Sequence, residues 1–363
     1  MGRARELHPD LQYHEFTLDH AIISPDTISD TDASKIDLST YLGRIRLSVP
    51  LVSSPMDRVT GYRMAALMDK IGAIGTIHMN NSIDEQMAEV AKMQALRKDS
   101  QNPPQVLVAV NSRLETARER VEAANEAGVT GIIVDSRNMF SDHLKIAEYA
   151  KSLNPDLVVV LGNIVTGRVF SQAMERAGDY IDAFRVGMGT GEVCTTSERL
   201  KLGRAMGSAL WDISAVRDLY EEKAGRHIAL IADGGIKDPG HVLMALALGA
   251  DMVMMGTELA GLDESPGEIV KIKGQNMKEI RGMGSAEVIN ERVGKERYRI
   301  TGVPYPEGIK KYVNYKGDGE EWLEEFFGGL ANSMAGAGMR DIKELQKEAY
   351  ILPRATAISK GTS

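Results

Sequence analysis

Cysteine is nearly missing from this chain: Cys194 is the only one in 363 residues. A lone thiol excludes an intrachain disulfide framework and cysteine-rich zinc modules, and it suits a reducing cytosol. The opening Met1-Gly2-Arg3-Ala4-Arg5-Glu6-Leu7 lacks the apolar core of a signal peptide, and no run long enough to span a bilayer follows. Positive charge is also short. Lys and Arg number 43 against 51 Asp and Glu, a net charge of −8 that opposes nonspecific binding to nucleic acid or acidic membranes. Internal repeats and low-complexity linkers are absent as well. What remains is the expectation of a soluble, cytoplasmic protein whose 43% hydrophobic content can fill a substantial core.

Eight short apolar runs are present. They are Pro50–Ser54, Ile74–Ile77, Gln105–Val110, Gly131–Asp135, Leu157–Leu161, Ala183–Val186, Ile228–Ala232 and Asp251–Met255. The runs are continuous rather than alternating, as parallel strands covered on both faces require. Amphipathic segments such as 83–97, 114–127 and 240–248 separate them. Strands alternating with helices, mostly at spacings of about 23–32 residues, predict a (β/α)8 TIM barrel. A doubly wound sheet is the alternative. It would carry a Gly-x-Gly-x-x-Gly turn after an early strand, and the chain has none.

Such barrels build their sites where strands end. Polar clusters sit at seven of those ends: Ser53-Ser54-Pro55-Met56-Asp57, His78-Met79-Asn80, Asp135-Ser136, Gly162-Asn163, the segment containing Cys194, Asp233-Gly234-Gly235 and Gly256-Thr257. Turn chemistry accounts for any one of them, but not for seven converging on one rim.

The cysteine lies in Gly187-Met188-Gly189-Thr190-Gly191-Glu192-Val193-Cys194-Thr195-Thr196. A lone thiol is ordinarily a small buried hydrophobe. This one has glycines and hydroxyls for neighbours, which points to a nucleophile. Beyond the eighth strand, residues 271–319 are rich in Gly, Lys, Arg, Glu and Tyr. They read either as a solvated excursion or as a flap that covers the barrel mouth and contributes groups of its own. The expected organisation is one barrel domain over 1–363 with a flap insertion at 271–319.

With these features in place, the chain resembles the IMP dehydrogenase/GMP reductase family from about Tyr13 to about Arg354. The resemblance rests on Pro50-Leu-Val-Ser-Ser-Pro-Met-Asp57, Val134-Asp-Ser136, Gly162-Asn163, Arg185-Val-Gly-Met-Gly189, Val193-Cys-Thr-Thr196, Ile231-Ala-Asp-Gly-Gly-Ile236, Met254-Met-Gly256 and Arg281-Gly-Met-Gly-Ser285. Only a short helix and linker separate His78 from the third strand, so it is similar to members without a CBS module. The resemblance implies oxidation of a hypoxanthine-type purine at C2 through a covalent adduct on Cys194, with NAD as hydride acceptor. Thr196 would support the sulfur and the transferring proton, and Glu307 would assist proton removal. Asp233 would bind ribose hydroxyls. Ser54, Met56, Asn163, Arg185, Gly191, Gly235, Gly256, Met283 and Gly284 would frame the substrate. Asp135, Ser136 and Gly187 would hold the cofactor. Backbone carbonyls of Gly189, Gly191 and Cys194 would form part of a potassium site, although the acidic complement from a neighbouring tail is not evident. A homotetramer is expected by the same analogy.

The two branches of the family differ in the second half-reaction. Arg297-Tyr298, within Gly294-Lys-Glu-Arg-Tyr298, matches the pair with which dehydrogenases activate water. Pro306-Glu-Gly-Ile309 also follows the dehydrogenase pattern. Against this, the flap is short, and Glu268 could take a reductase's acidic role with NADP as the cofactor. The dehydrogenase is favoured. A non-enzymatic purine-binding homologue is opposed by Cys194, Thr196, Arg297 and Tyr298 occurring together.

Three positions depart from the family's 5′-phosphate contacts. Glu192 replaces a serine, Ile280 a tyrosine, and Thr257 a serine whose hydroxyl it keeps. A carboxylate about 5 Å from a phosphate at an effective dielectric of 20 costs about 3 kcal/mol per unit charge. An unphosphorylated or modified purine is therefore an alternative substrate. Arg58 is the residue expected to pair with Glu192 or to rescue a phosphate.

Overall fold

The computed structural model describes residues 6–7, 14–26, 28–290, 299 and 305–354. Its centre is a closed, all-parallel, eight-stranded barrel. The strands are β1 (Leu51–Ser53), β2 (Ile74–Ile77), β3 (Val106–Val110), β4 (Gly131–Val134), β5 (Val158–Ile164), β6 (Ala183–Val186), β7 (Ala229–Asp233) and β8 (Met252–Met255). Val253 of β8 pairs with Leu51 of β1 and closes the ring. Each predicted run supplies one strand, and helices connect them, so the (β/α)8 barrel is the observed fold.

The alternation of faces explains why the strands are apolar throughout. One set of side chains, including Leu51, Val108, Ile132 and Phe184, packs outward against the helices. The other set, including Val52, Leu107, Ile133, Val160, Ile231 and Met254, fills the barrel interior. Leu42, Ile45 and Leu47 join that inner cluster from a hairpin, Thr40–Leu42 with Ile45–Leu47, that immediately precedes β1. The hairpin plugs the N-terminal end, which leaves the C-terminal end for chemistry.

Local chemistry sets the helix boundaries. Ser82 and Glu85 form a capping box at the start of Ile83–Leu96, the one helix between β2 and β3. Asp238 caps Pro239–Ala247 with proline in the first turn. The long β6–β7 connection holds the cysteine loop, a short helix Thr196–Leu200 and the helix Met206–Ala224.

The described residues beyond β8 are more ordered than their composition suggests. β9 (Ile269–Ile272), β10 (Gln275–Arg281) and β11 (Lys310–Asn314) form an antiparallel sheet. β11 alternates between exposed and half-buried residues, which accounts for its polar composition. Arg281 ties this sheet to the barrel rim, its Nε 2.9 Å from Asp57 Oδ2. Arg299 makes a second tie: it donates to the Ser112 carbonyl and to Asp142 Oδ2 at 3.0 Å, and lies 4.2 Å over the Phe140 ring. Among the described residues, no helix is long and apolar enough to cross a membrane.

Candidate active site

Cys194 is the free thiol of the loop after β6 and is partly buried. Its position is fixed by a strand-like pairing with a distant segment. The amide of Thr195 donates to the Glu307 carbonyl at 2.9 Å, and that of Ile309 to the Val193 carbonyl at 3.0 Å. On the other side of this segment, the amides of Gly282 and Glu307 donate to the carbonyls of Ile309 and Gly284, each at 3.0 Å. Residues 307–309 are thus held between the cysteine loop and the Gly282-Met283-Gly284 strap. The fit requires glycine at 282, where a Cβ would come within 2.5 Å of the Val193 carbonyl oxygen.

This pairing aligns a chain of polar side chains. The Cys194 thiol lies 3.2 Å from Thr196 Oγ1. Thr196 donates to Glu307 Oε2 at 2.6 Å, and Arg137 Nη1 donates to Glu307 Oε1 at 2.5 Å. Glu307 is buried, with 3% of its surface exposed. The carboxylate is an acceptor only, so the Thr196 hydroxyl must donate to it and is left to accept from the thiol.

A second network lies on the floor. Arg185 is buried between two carboxylates, 2.8 Å from Asp135 Oδ1 and 2.6 Å from Asp233 Oδ2. Burial works against its charge, but Asp233 and Asp135 more than compensate and raise its pKa above the ordinary guanidinium value. Asn163 Nδ2 donates to Asp233 Oδ2 at 2.9 Å and to the Gly187 carbonyl at 2.7 Å. Asn163 Oδ1 and Arg185 Nε are buried without a hydrogen-bond partner. Both residues also line the cavity at Cys194.

The cavity at Cys194 gathers most of the predicted site. It is lined by Ser54, Met56, Ser136, Asn163, Arg185, Gly187, Gly189, Gly191, Thr196, Asp233, Met283, Gly284 and Glu307. An adjoining smaller cavity holds Glu192, Gly235, Gly256 and Thr257, together with Ser54 and Met56. Asp135 is placed differently from expectation: it is fully buried beneath Arg185 and lines neither cavity. Ser136 lines the cavity, but its hydroxyl already donates to the Asn138 carbonyl. Arg297 and Tyr298 lie outside the described residues. Glu268 is exposed and lines neither cavity.

Arg58 does not pair with Glu192. It sits 3.8 Å from Glu279, and the partner of Glu192 is Lys311 on β11. Ile280 is fully buried in the main hydrophobic core, which explains an apolar residue at that position. Of the carbonyls expected around potassium, that of Gly189 accepts from Ser197 Oγ at 3.0 Å and that of Gly191 from the Cys194 amide at 3.0 Å. Among the described residues, no cluster of three or more His, Cys, Asp or Glu could hold a metal ion.

Sequence reasoning missed Arg137 and Lys311. Arg137 directly follows the rim cluster Asp135-Ser136 and Lys311 lies in a polar run, and the partner of each is more than a hundred positions away. No local pattern marks either one.

The fold and site define a (β/α)8 barrel whose C-terminal rim carries a thiol, a hydroxyl and a buried carboxylate in series. The family model for the IMP dehydrogenase / GMP reductase domain matches residues 15–362, and the chain belongs to that family. It is similar to the inosine-5'-monophosphate dehydrogenase of Cryptosporidium parvum, with 33% identity over 359 residues covering 87% of each chain. The protein of that name from Borreliella burgdorferi is 32% identical over 364 residues, covering 86% of this chain and 87% of the relative. That from Aquifex aeolicus is 37% identical over 255 residues, 69% of this chain and 50% of the relative.

Proposed function

We propose that the protein is an NAD-dependent oxidoreductase that oxidises a hypoxanthine-type purine at C2. The observation that carries this reading is the series Cys194–Thr196–Glu307 along a cavity that Asn163, Arg185 and Asp233 also line. The Cys194 thiolate adds to C2 and makes that carbon tetrahedral. A nicotinamide cofactor, when bound, would supply the acceptor for the C2 hydride, and Ser136 and Gly187 are lining residues that would hold it. Loss of the hydride restores the C2=N double bond and leaves a covalent thioimidate on Cys194. Water then adds to C2 and its proton passes to Thr196 and on to Glu307. The carbon–sulfur bond breaks, releasing the 2-oxo product and the thiolate. Arg297 and Tyr298 join in activating that water. Asp233 orients the sugar, Asn163 and Arg185 border the base, and Met283 and Gly284 cover it.

A panel of purine bases, nucleosides and monophosphates assayed for NADH formation tests the reading. Cys194→Ala should abolish the signal. Ammonia release from GMP with NADPH would instead establish the reductase direction and overturn the dehydrogenase.

Glu192 favours a second reading for the substrate. Its carboxylate lines the small cavity, which Asp233 also lines, and its cation is Lys311 from the flap sheet. Two carboxylates there suit a sugar hydroxyl better than a phosphate dianion, so the substrate is a purine nucleoside or a modified purine rather than IMP. Glu192→Ser should shift the preference toward the monophosphate by about a hundredfold, the equivalent of one unit of charge at about 5 Å. IMP turned over more efficiently than inosine by the unaltered protein would overturn it.

A further inference from the structure

Arg137 belongs to the loop after β4, yet it reaches across the site to a residue 170 positions further on. Its guanidinium is one-quarter exposed, and it is the only ion-pair partner of Glu307 among the described residues. An almost fully buried carboxylate needs such a partner: without one, burial favours the neutral acid. Glu307 uses its oxygens separately, Oε1 for Arg137 and Oε2 for Thr196. The cation therefore fixes both the charge of the group and the direction in which its other oxygen points.

We propose that Arg137 is a positioning residue for proton transfer. It holds Glu307 as an anion with Oε2 turned to Thr196. With that acceptor in place, the hydroxyl hydrogen of Thr196 points at Glu307, and the oxygen presents its lone pairs to the thiol and the cavity. A proton leaving the attacking water bonds to Thr196 Oγ1 as the original hydroxyl proton moves to Glu307 Oε2. The water oxygen gives up one O–H bond as its electron pair forms the bond to C2, Thr196 Oγ1 exchanges one proton for another, and Glu307 Oε2 gains one, so no oxidation accompanies the step. If Glu307 were a neutral acid, its own O–H would donate to Thr196 and the threonine hydrogen would turn to the cavity. The relay would then face the wrong way.

The assignment rests on the proton-transfer role given above to Thr196 and Glu307, and two independent measurements test it. Infrared spectra of the intact protein read the charge of Glu307 without any substrate. Arg137→Met should gain the band of a buried protonated carboxyl, absent from the parent and from the R137M/E307Q double variant. In turnover, Arg137→Met should lower kcat about a hundredfold, within the range of a positioned acid–base group, and leave KM within a few-fold. Arg137→Lys, which keeps the charge but not the planar fork, should restore most of the loss and show no such band. Added guanidinium ion should partly rescue Arg137→Met. Absence of the band, or a loss confined to KM, overturns the proposal. If the parent protein oxidises no purine at all, the proposed function fails, and the infrared arm still decides whether Arg137 sets the charge of Glu307.

Discussion

The Thr196 hydroxyl donates to Glu307 across 2.6 Å, joining residues 111 positions apart in the chain. Thr196 is 1% exposed and begins a short helix, so its rotamer is set by packing as well as by this bond. Thr196→Val keeps the shape and removes only the hydroxyl. Steady-state turnover should fall at least about a hundredfold. In the proposed reaction hydride transfer precedes the water step, so stopped-flow should still show a burst of NADH near one equivalent. Loss of the burst along with the steady state would assign Thr196 to the first half-reaction instead.

Arg185 separates two carboxylates of unequal burial: Asp135 is fully buried and Asp233 partly exposed to the cavity. Removing one partner of a buried pair leaves a charge uncompensated, at a cost of about 3–5 kcal/mol. Asp135→Ala should approach that cost, measured by urea unfolding. Asp233→Ala should cost less stability and more activity, because water in the cavity can solvate the charge left behind. Equal destabilisation by both variants would contradict the division into a structural and a substrate-facing carboxylate.

His143 is buried edge-to-face against the Phe140 ring, 5.7 Å between centroids, with neither ring nitrogen hydrogen-bonded. Burial, reinforced by Arg299 and opposed weakly by Asp142, pushes its pKa down to about 3. The unfolded chain binds a proton at this site below its ordinary pKa of about 6.5, and the folded protein does not until about 3. Stability from this site is therefore intact above the unfolded value and is lost as pH falls between the two, by up to roughly 5 kcal/mol. His143→Leu should flatten that acid limb in denaturation midpoints measured from neutral pH downward. An unchanged slope would show that the imidazole is solvated.

Arg299 lies directly after the Arg297-Tyr298 pair and grips the barrel through Ser112, Asp142 and Phe140. A flap held at this point can exclude water and present its groups on closure. Arg299→Ala should reduce the hydrolytic step by about tenfold, the equivalent of one contact of about 1.4 kcal/mol. The NADH burst should be preserved. Equal loss of burst and steady state would mean that the anchor serves cofactor binding instead.

The barrel was legible because each strand is covered on both faces and must be apolar along its length. Val106–Val110 and Met252–Met255 illustrate this, with every residue buried. The rim was legible for a related reason: polar residues at the end of a buried strand stand out against it. The flap sheet was not legible. Its strands lie with one face in water, and Lys310-Lys311-Tyr312-Val313-Asn314 reads locally as a solvated run. The ion pairs Arg137–Glu307 and Glu192–Lys311 were hidden because a charged side chain does not announce its partner, and topology alone brings each pair together. Asp135 shows the converse. Its motif suggested a cofactor contact, but the depth of the strand end turned it under Arg185.

The pairing of Val193-Cys194-Thr195 with Glu307-Gly308-Ile309 also orders events in time. During synthesis the thiol emerges more than a hundred residues before the segment that orients it. Alignment of the thiol waits for that later segment, as closure of the barrel waits for β8 to reach β1. Until then the barrel strands can assemble around an unaligned sulfur with no buried carboxylate at hand. A protein truncated before residue 305 would therefore keep its cysteine but not the alignment that makes it a site.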